Sequence, residues 1–542
     1  MRHRTILHRI RKSLRPRDSL IHPSHSSYKW ILLANVMLGT FMAVLDATIV
    51  NVGLPKIMAS FAVGIDKIEW VITAYMLALA VMLPTSGWLA DKFGYKLIYF
   101  MGLLLFTFGS LLCGLSGNEQ MLIFSRVIQG LGGGMIQPLG MAIISREFPP
   151  EQRGVAIGFW VISAAASVSF GPLIGGYLVD HFSWQLIFGV NVPIGIFALF
   201  ATFIIQEEYK RKDITKFDLL GFVSVVIFFP LLLFALSEGN AVTNSEGWKA
   251  PYILLSFAIS IIAFVVFITN ELTIKAPLID LRLMRNVNFG LSNVVMLIFG
   301  IGVFGGVFLL PLYLQNALGY TAFQSGLVFL PVGFIQGIIA PLTGITINKV
   351  NAKIPIIIGI ILFAISFFIV SKLSFLTERS YIMLSLYIRG VAMGIMFTSI
   401  STVALFDISR EKMAQASGML NTIRQLGGSL GVAIMATILT SRVNYHVQNY
   451  GGSIQANSEA YQNTLSHLKF YVQHHVGSSH FLAAVQSKYL LSSNVSVQGY
   501  IQGIDDVFLV ATVITLLGLV PVILLHGKKK NQKQYIKNNS NE

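Results

Sequence analysis

Between Arg285 and Lys349 the chain runs for 63 residues without an Asp, Glu, Lys or Arg. A hydrocarbon core about 30 Å thick is crossed by roughly 20 helical residues, so this one stretch is long enough to cross a bilayer twice. Residues 154–179 form a second uncharged run of 26, and 182–205 a third. Lipid offers no partner to a free backbone N–H or C=O, so the expected form is helical. Only 12% of the 542 residues are charged and 54% are hydrophobic. Soluble domains carry about 25% charge, so neither an ordinary soluble fold nor a disordered chain fits.

Extended along the chain, the same reading predicts 14 spans. They fall near 30–52, 69–89, 97–115, 120–144, 155–179, 184–205, 217–236, 250–270, 288–313, 325–347, 354–371, 380–405, 414–440 and 504–526. The Arg-rich start, Arg2 to Arg17, is not followed directly by an apolar segment and cleavage site. The first span therefore reads as an uncleaved anchor.

A net charge of +15 raises nucleic acid as a partner. The placement of the basic residues argues otherwise. With an even number of spans, both tails share a side with every second loop, and that side holds 28 of the 39 Lys and Arg. The opposite side holds 8, and Arg126, Arg389 and Arg424 lie within spans. The positive-inside rule puts both termini in the cytoplasm, with tails able to lie against anionic lipid. No nucleic-acid partner is expected.

Residues 441–503, on the opposite side, are polar and carry five histidines. A small surface helix within AYQNTLSHLKFYVQHH is expected from its loosely helical apolar spacing. His474, His475 and His480 read first as solvated loop residues and second as a metal or pH site. No metal site and no cofactor is expected. The single Cys113 gives neither a disulfide nor a thiolate cluster.

An internal repeat follows the even-numbered spans. GWLADKFGYK from Gly87 and GITINKVNAK from Gly344 align at an offset of 257, matching Gly87 with Gly344, Lys92 with Lys349 and Lys96 with Lys353. Repeated halves are a common transporter plan, with the substrate at their interface. Six spans per half leave spans 7 and 8 as an inserted pair. The predicted domains are a basic tail 1–29, a bundle 30–205, the inserted pair with its flanking loops 206–287, a bundle 288–526 including 441–503, and a basic tail 527–542.

Several motifs together resemble the major facilitator superfamily in its 14-helix drug:proton antiporter branch. They are LDATIVNVGLP (45–55), GWLADKFGYK (87–96), RVIQGLGGG (126–134), GPLIGG (171–176), WQLIFGVNVPIG (184–195) and NTIRQLGGSLGVA (421–433), in the expected order over nearly the whole chain. The fold class implied is an all-α polytopic membrane protein of two six-helix bundles plus two inserted helices.

Asp46 is the one acidic residue placed well inside a span. An intramembrane carboxyl group is costly and is a functional hypothesis by default. The resemblance implies that it couples proton movement to transport; the alternative is a capping or packing carboxylate. Arg126 is implied to assist proton transfer, or else bonds the backbone of a neighbouring helix. In the resembled family the loop with Gly87, Asp91, Lys92, Gly94 and Lys96 is a conformational latch, although Tyr95 replaces its usual second basic residue. Gly158, Gly171, Pro172, Gly175 and Gly176 resemble the antiporter signature of exporters, where small residues let helices pack closely and proline kinks the span. Arg389 and Arg424, with Asn51, Gln129 and Gln336, are cavity or packing residues.

The implied activity is export of amphipathic small molecules driven by proton antiport, across a bacterial plasma (inner) membrane, by a monomer. A periplasmic adaptor is a further partner if the source has two membranes. A dedicated exporter of one metabolite, lipid or tetracycline-like antibiotic is the second reading, and a receptor or channel scaffold a distant third. The sequence has no GxxxxGK or HExxH motif, so no enzyme is expected.

Overall fold

Each long apolar run closes its backbone hydrogen bonds within a helix. The computed structural model describes Pro23 and residues 25–525, apart from 64, 69, 211–217, 240–243, 245, 275–276, 348–349, 352, 455–456 and 477–478. At 51, 52, 55, 65, 66, 172, 180, 237, 322 and 453 only the backbone is described. Most of the two basic tails, Glu69, Lys349 and the side chains of Asn51 and Pro172 thus lie outside the described residues.

The helices in chain order are α1 (Tyr28–Phe61), α2 (Trp70–Phe93), α3 (Tyr95–Gly114), α4 (Glu119–Glu147), α5 (Pro150–His181), α6 (Asn191–Ile205, after a turn of helix at Leu186–Gly189) and α7 (Leu219–Glu238). There follow α8 (Pro251–Thr273), α9 (Val287–Asn316), α10 (Ala322–Thr346), α11 (Lys353–Ile369), α12 (Arg379–Phe406), α13 (Met413–Ser453) and α14 (His480–Leu517, continued by Leu519–Leu524). Among the described residues, 13 are long and apolar enough to cross a membrane, and α11 is a shorter apolar helix of 17 residues. The chain is a multi-pass membrane protein.

Local chemistry sets several helix starts. The Asn118 side chain accepts from Met121 N–H at 2.8 Å before α4, and Thr321 and Gln324 form a capping box before α10. Gly94 precedes α3 with φ +113°, a conformation that favours glycine. Glu208 caps the same helix from a distant loop, accepting from the N–H groups of Lys96 (3.0 Å) and Leu97 (3.2 Å). Partial burial pushes its carboxyl upward in pKa, and those two donors pull it back.

Helices α1–α6 pack into one bundle and α9–α14 into another, while α7 and α8 pair with each other and α7 rests on α2 and α13. Outward faces stay apolar, as at Leu254, Leu255, Ile261 and Ile262 of α8, which suits a lipid-facing surface.

The bundles meet along α5 and α10. A Cβ added at Gly158 would lie 2.5 Å from the Ala340 carbonyl oxygen, and one at Gly154 2.8 Å from that of Gly344. This is backbone-to-backbone packing that a larger residue would break. The other glycines of the motif serve different neighbours: Gly171 faces Thr48 of α1, and Gly176 faces Phe323 of α10. Gly175 is buried.

Residues 441–503 differ from the expected loop with one small helix. The small helix is present at Glu459–Tyr471, but α13 runs on to Ser453 and α14 already begins at His480. The segment is largely a helical hairpin. Gly499 and Gly503 bring α14 against the backbone of Val447 and Val443. At its base Asp506 accepts from Arg442 Nε (2.6 Å) and contacts His446 Nε2 (2.7 Å). Polarity hid these helices, because hydropathy registers only the part of a helix that meets lipid.

Candidate functional site

Asp46 is fully buried near the middle of α1, and Arg126, 1% exposed, is buried on α4. The two form a direct ion pair between Asp46 Oδ2 and Arg126 Nη1. Oδ1 of Asp46 accepts from Gln129 Nε2 at 2.8 Å and Asn191 Nδ2 at 3.1 Å. Gln129 lies three residues from Arg126, one helical turn away, so both face α1 together. Ser110 Oγ of α3 lies 2.9 Å from Gln129 Nε2 and 3.1 Å from Asn191 Nδ2, accepting from both, and donates to the Phe188 carbonyl.

Arg126 has partners besides the carboxylate. Its Nε donates to the Val71 carbonyl at 3.0 Å and Nη1 to Gln129 Oε1 at 2.7 Å. Its guanidinium centre lies 4.0 Å from the Tyr75 ring centroid on α2, a cation–π arrangement. Five helices, α1, α2, α3, α4 and α6, thus converge on one carboxylate. A buried charge is tolerable only when paired and fully hydrogen-bonded, and this one is.

The sequence paired Asp46 and Arg126 by role, and the fold joins them in space. Gln129, expected in the cavity or in packing, belongs to the same network. Asn191, Ser110 and Tyr75 were not singled out. The available signal was an uncharged polar side chain, Asn191, inside the apolar run VNVPIG.

The other intramembrane arginines stand apart. Arg389 on α12 is 3% exposed. Its Nε reaches Ser366 Oγ at 3.4 Å, and Phe367 lies 4.6 Å from the guanidinium centre. Neither terminal nitrogen has a hydrogen-bond partner among the described residues. Arg424 on α13 donates across the bundle interface to Gln137 Oε1 of α4 at 3.0 Å. Gln336 is buried on α10, where its carbonyl faces Gly394 of α12.

The 87–96 loop touches the second bundle, at the end of the molecule that carries Tyr28 and Leu525. A Cβ at Gly87 would lie 3.0 Å from the Ala414 carbonyl oxygen. Tyr95, the departure from the family pattern, donates to Asp91 Oδ1 at 3.2 Å and accepts from Ala414 N–H at 3.1 Å, in the first turn of α13. A phenol thus bridges the acid to the partner bundle where the family uses a base. Lys96 turns back to the Phe203 carbonyl within its own bundle. Arg146 to the Arg410 carbonyl (3.0 Å) and Arg153 to the Leu405 carbonyl (3.2 Å) close the same end.

Two helical bundles joined at a backbone-tight interface, with a buried ion pair in one of them, define a secondary-carrier architecture. A family profile described as Major Facilitator Superfamily matches residues 36–432. The chain belongs to that superfamily. It is 32% identical over 507 residues to an uncharacterized MFS-type transporter, YhcA, of Bacillus subtilis, covering 92% of this chain and 93% of the relative. It is 29% identical over 506 residues to the multidrug export protein EmrB of Escherichia coli K12, covering 90% and 94%. Among solved structures, the human organic anion transporter MFSD10 aligns with TM-score 0.61 and 12% identity over 91% of this chain and 99% of that one. At that identity the likeness shows the fold.

Proposed function

We propose that the protein is a proton-driven exporter of amphipathic small molecules, with both termini in the cytoplasm of a bacterial inner membrane. The observation that carries the reading is the buried Asp46–Arg126 pair, a titratable group inside a span with a cation placed on it. The names of similar proteins support the substrate class: besides EmrB, a tetracenomycin C resistance and export protein of Streptomyces glaucescens is 31% identical over 415 residues.

The geometry suggests the cycle. A proton taken up from the outer side neutralises Asp46 and removes its attraction for Arg126. Arg126 remains charged and keeps the Val71 carbonyl, Gln129 and the Tyr75 face. The hold of α4 on α1 weakens, and Arg126, left without its counterion, keeps only neutral partners until Asp46 releases the proton. Asp91, Tyr95 and Gly87 act as the latch at the cytoplasmic end. Substrate and proton need no shared residue, provided each biases the same two-state change. Arg424, which bonds Gln137 across the bundle interface, is the intramembrane cation we assign to substrate contact.

In everted vesicles an imposed pH gradient should drive uptake of a transported dye, and Asp46→Asn should abolish it. Undiminished gradient-driven uptake by that variant would sink the assignment. Resistance of expressing cells to a panel of ethidium, tetraphenylphosphonium, tetracycline and acidic dyes separates broad specificity from protection against one compound.

A further inference from the structure

Asn191 is fully buried beside the carboxylate, and only half of its amide is used. Nδ2 donates to Asp46 Oδ1 at 3.1 Å and to Ser110 Oγ at 3.1 Å. Its Oδ1 is buried and has no hydrogen-bond partner among the described residues. Leaving a buried carbonyl oxygen unsatisfied is costly, so the orphan acceptor needs an explanation.

The proton on Asp46 supplies one. An ionised carboxylate offers only acceptors, whereas a protonated one adds an O–H donor. The described groups that meet Asp46 in the ionised arrangement are Arg126, the Gln129 amide and the Asn191 amide, and each presents N–H. A half-turn of the Asn191 amide exchanges its two terminal atoms and sets an acceptor where the donor stood. We propose that Asn191 is the positioning residue that reads the proton on Asp46, donating to the carboxylate in one state and turning to accept the acid O–H in the other. The proton comes from water and bonds to a carboxylate oxygen; Arg126 keeps its own proton throughout. Because Asn191 opens α6, the turn carries the charge state of α1 into a third helix. This rests on the reading of Asp46 as the coupling group.

The titratable and charged groups facing Asp46 from its neighbours are Arg126 of α4, Tyr75 of α2 and Cys113 of α3. Neutral Asn191 is therefore separable from them by mutation. A bond from a donor to a charged acceptor is about twice as strong as one between neutral groups. Removing Asn191 thus costs the ionised form more than the acid.

The test uses the full-length protein in lipid nanodiscs, with infrared difference spectra recorded across a pH titration and no substrate needed. The carboxylic C=O stretch missing from Asp46→Asn identifies Asp46. In Asn191→Leu that band should persist about one pH unit further into the alkaline range. Its frequency should rise, since the O–H has lost its acceptor. In wild type the same pH step should change a side-chain amide C=O band that Asn191→Leu and Asn191→Ala both lack. An Asp46 band with wild-type midpoint and frequency in either variant, or a wild-type amide band that ignores the pH step, overturns the proposal for Asn191. If Asp46→Asn loses no titrating band, the reading of Asp46 itself falls. Should Asn191→Leu not fold, the wild-type amide band and Asn191→Ala still decide.

Discussion

At the scale of single residues, the pair at the centre makes opposite demands on stability and function. Removing Arg126 alone leaves a buried carboxylate with only the amides of Gln129 and Asn191, at about 3–5 kcal/mol for a broken buried pair. Arg126→Leu should therefore lower the melting temperature in detergent sharply, and Asp46→Asn in the same background should recover part of the loss. Simple additivity in that double-mutant cycle would argue that the two groups do not interact. The sequence exposed Asp46 and Arg126 because ionisable groups are conspicuous in an apolar run. Asn191 and Ser110 escaped notice because an uncharged polar residue in a span looks like ordinary helix packing until its neighbours are placed. Tyr95 was legible only as a departure, and its bond to α13 depends on a partner more than 300 positions away.

At the scale of elements, small residues and hydroxyls control how the halves engage. Gly158→Val should overpack α5 against Ala340, costing about 1–3 kcal/mol, with a lower thermal midpoint as the readout. Unchanged stability would mean that α10 yields readily. Tyr95→Phe deletes two hydrogen bonds worth about 1 kcal/mol each, and 1.4 kcal/mol is tenfold in population. Spin labels at Glu151→Cys and Glu411→Cys should then report a larger share of molecules parted at that end. The helices themselves were largely legible, because a span must be apolar for most of its length. Their ends were not: α13 and α14 leave the hydrophobic zone as polar helices held by contacts with one another, and no local pattern signals that.

At the scale of the whole molecule, the asymmetry between the bundles stands out. In the first, α1 presents Asp46 to the arginine of α4; in the second, α9 presents Gly306, whose added Cβ would lie 3.2 Å from Arg389 Nη1. The repeat reproduced the cation, but among the described residues no carboxylate is paired with Arg389, so the proposed coupling pair lies in the first bundle. Orientation is tested at the same scale. Thr464→Cys, on the small helix of the hairpin, should react in intact cells with a membrane-impermeant maleimide, against the low background of buried Cys113. Reaction only after permeabilisation would invert the topology.

Helix α13 contains 41 residues, about 60 Å at 1.5 Å per residue, twice the hydrocarbon thickness it crosses. It is continuous from the latch contact at Ala414 to the hairpin, and Asp506 clasps it to α14 where the hairpin begins. Its predicted span, 414–440, takes up about 40 Å of that length and leaves about 20 Å as a stem beyond the membrane. On the proposed cycle, a tilt of the second bundle moves this stem, so a label on the hairpin would report the state of Asp46 from outside the bilayer.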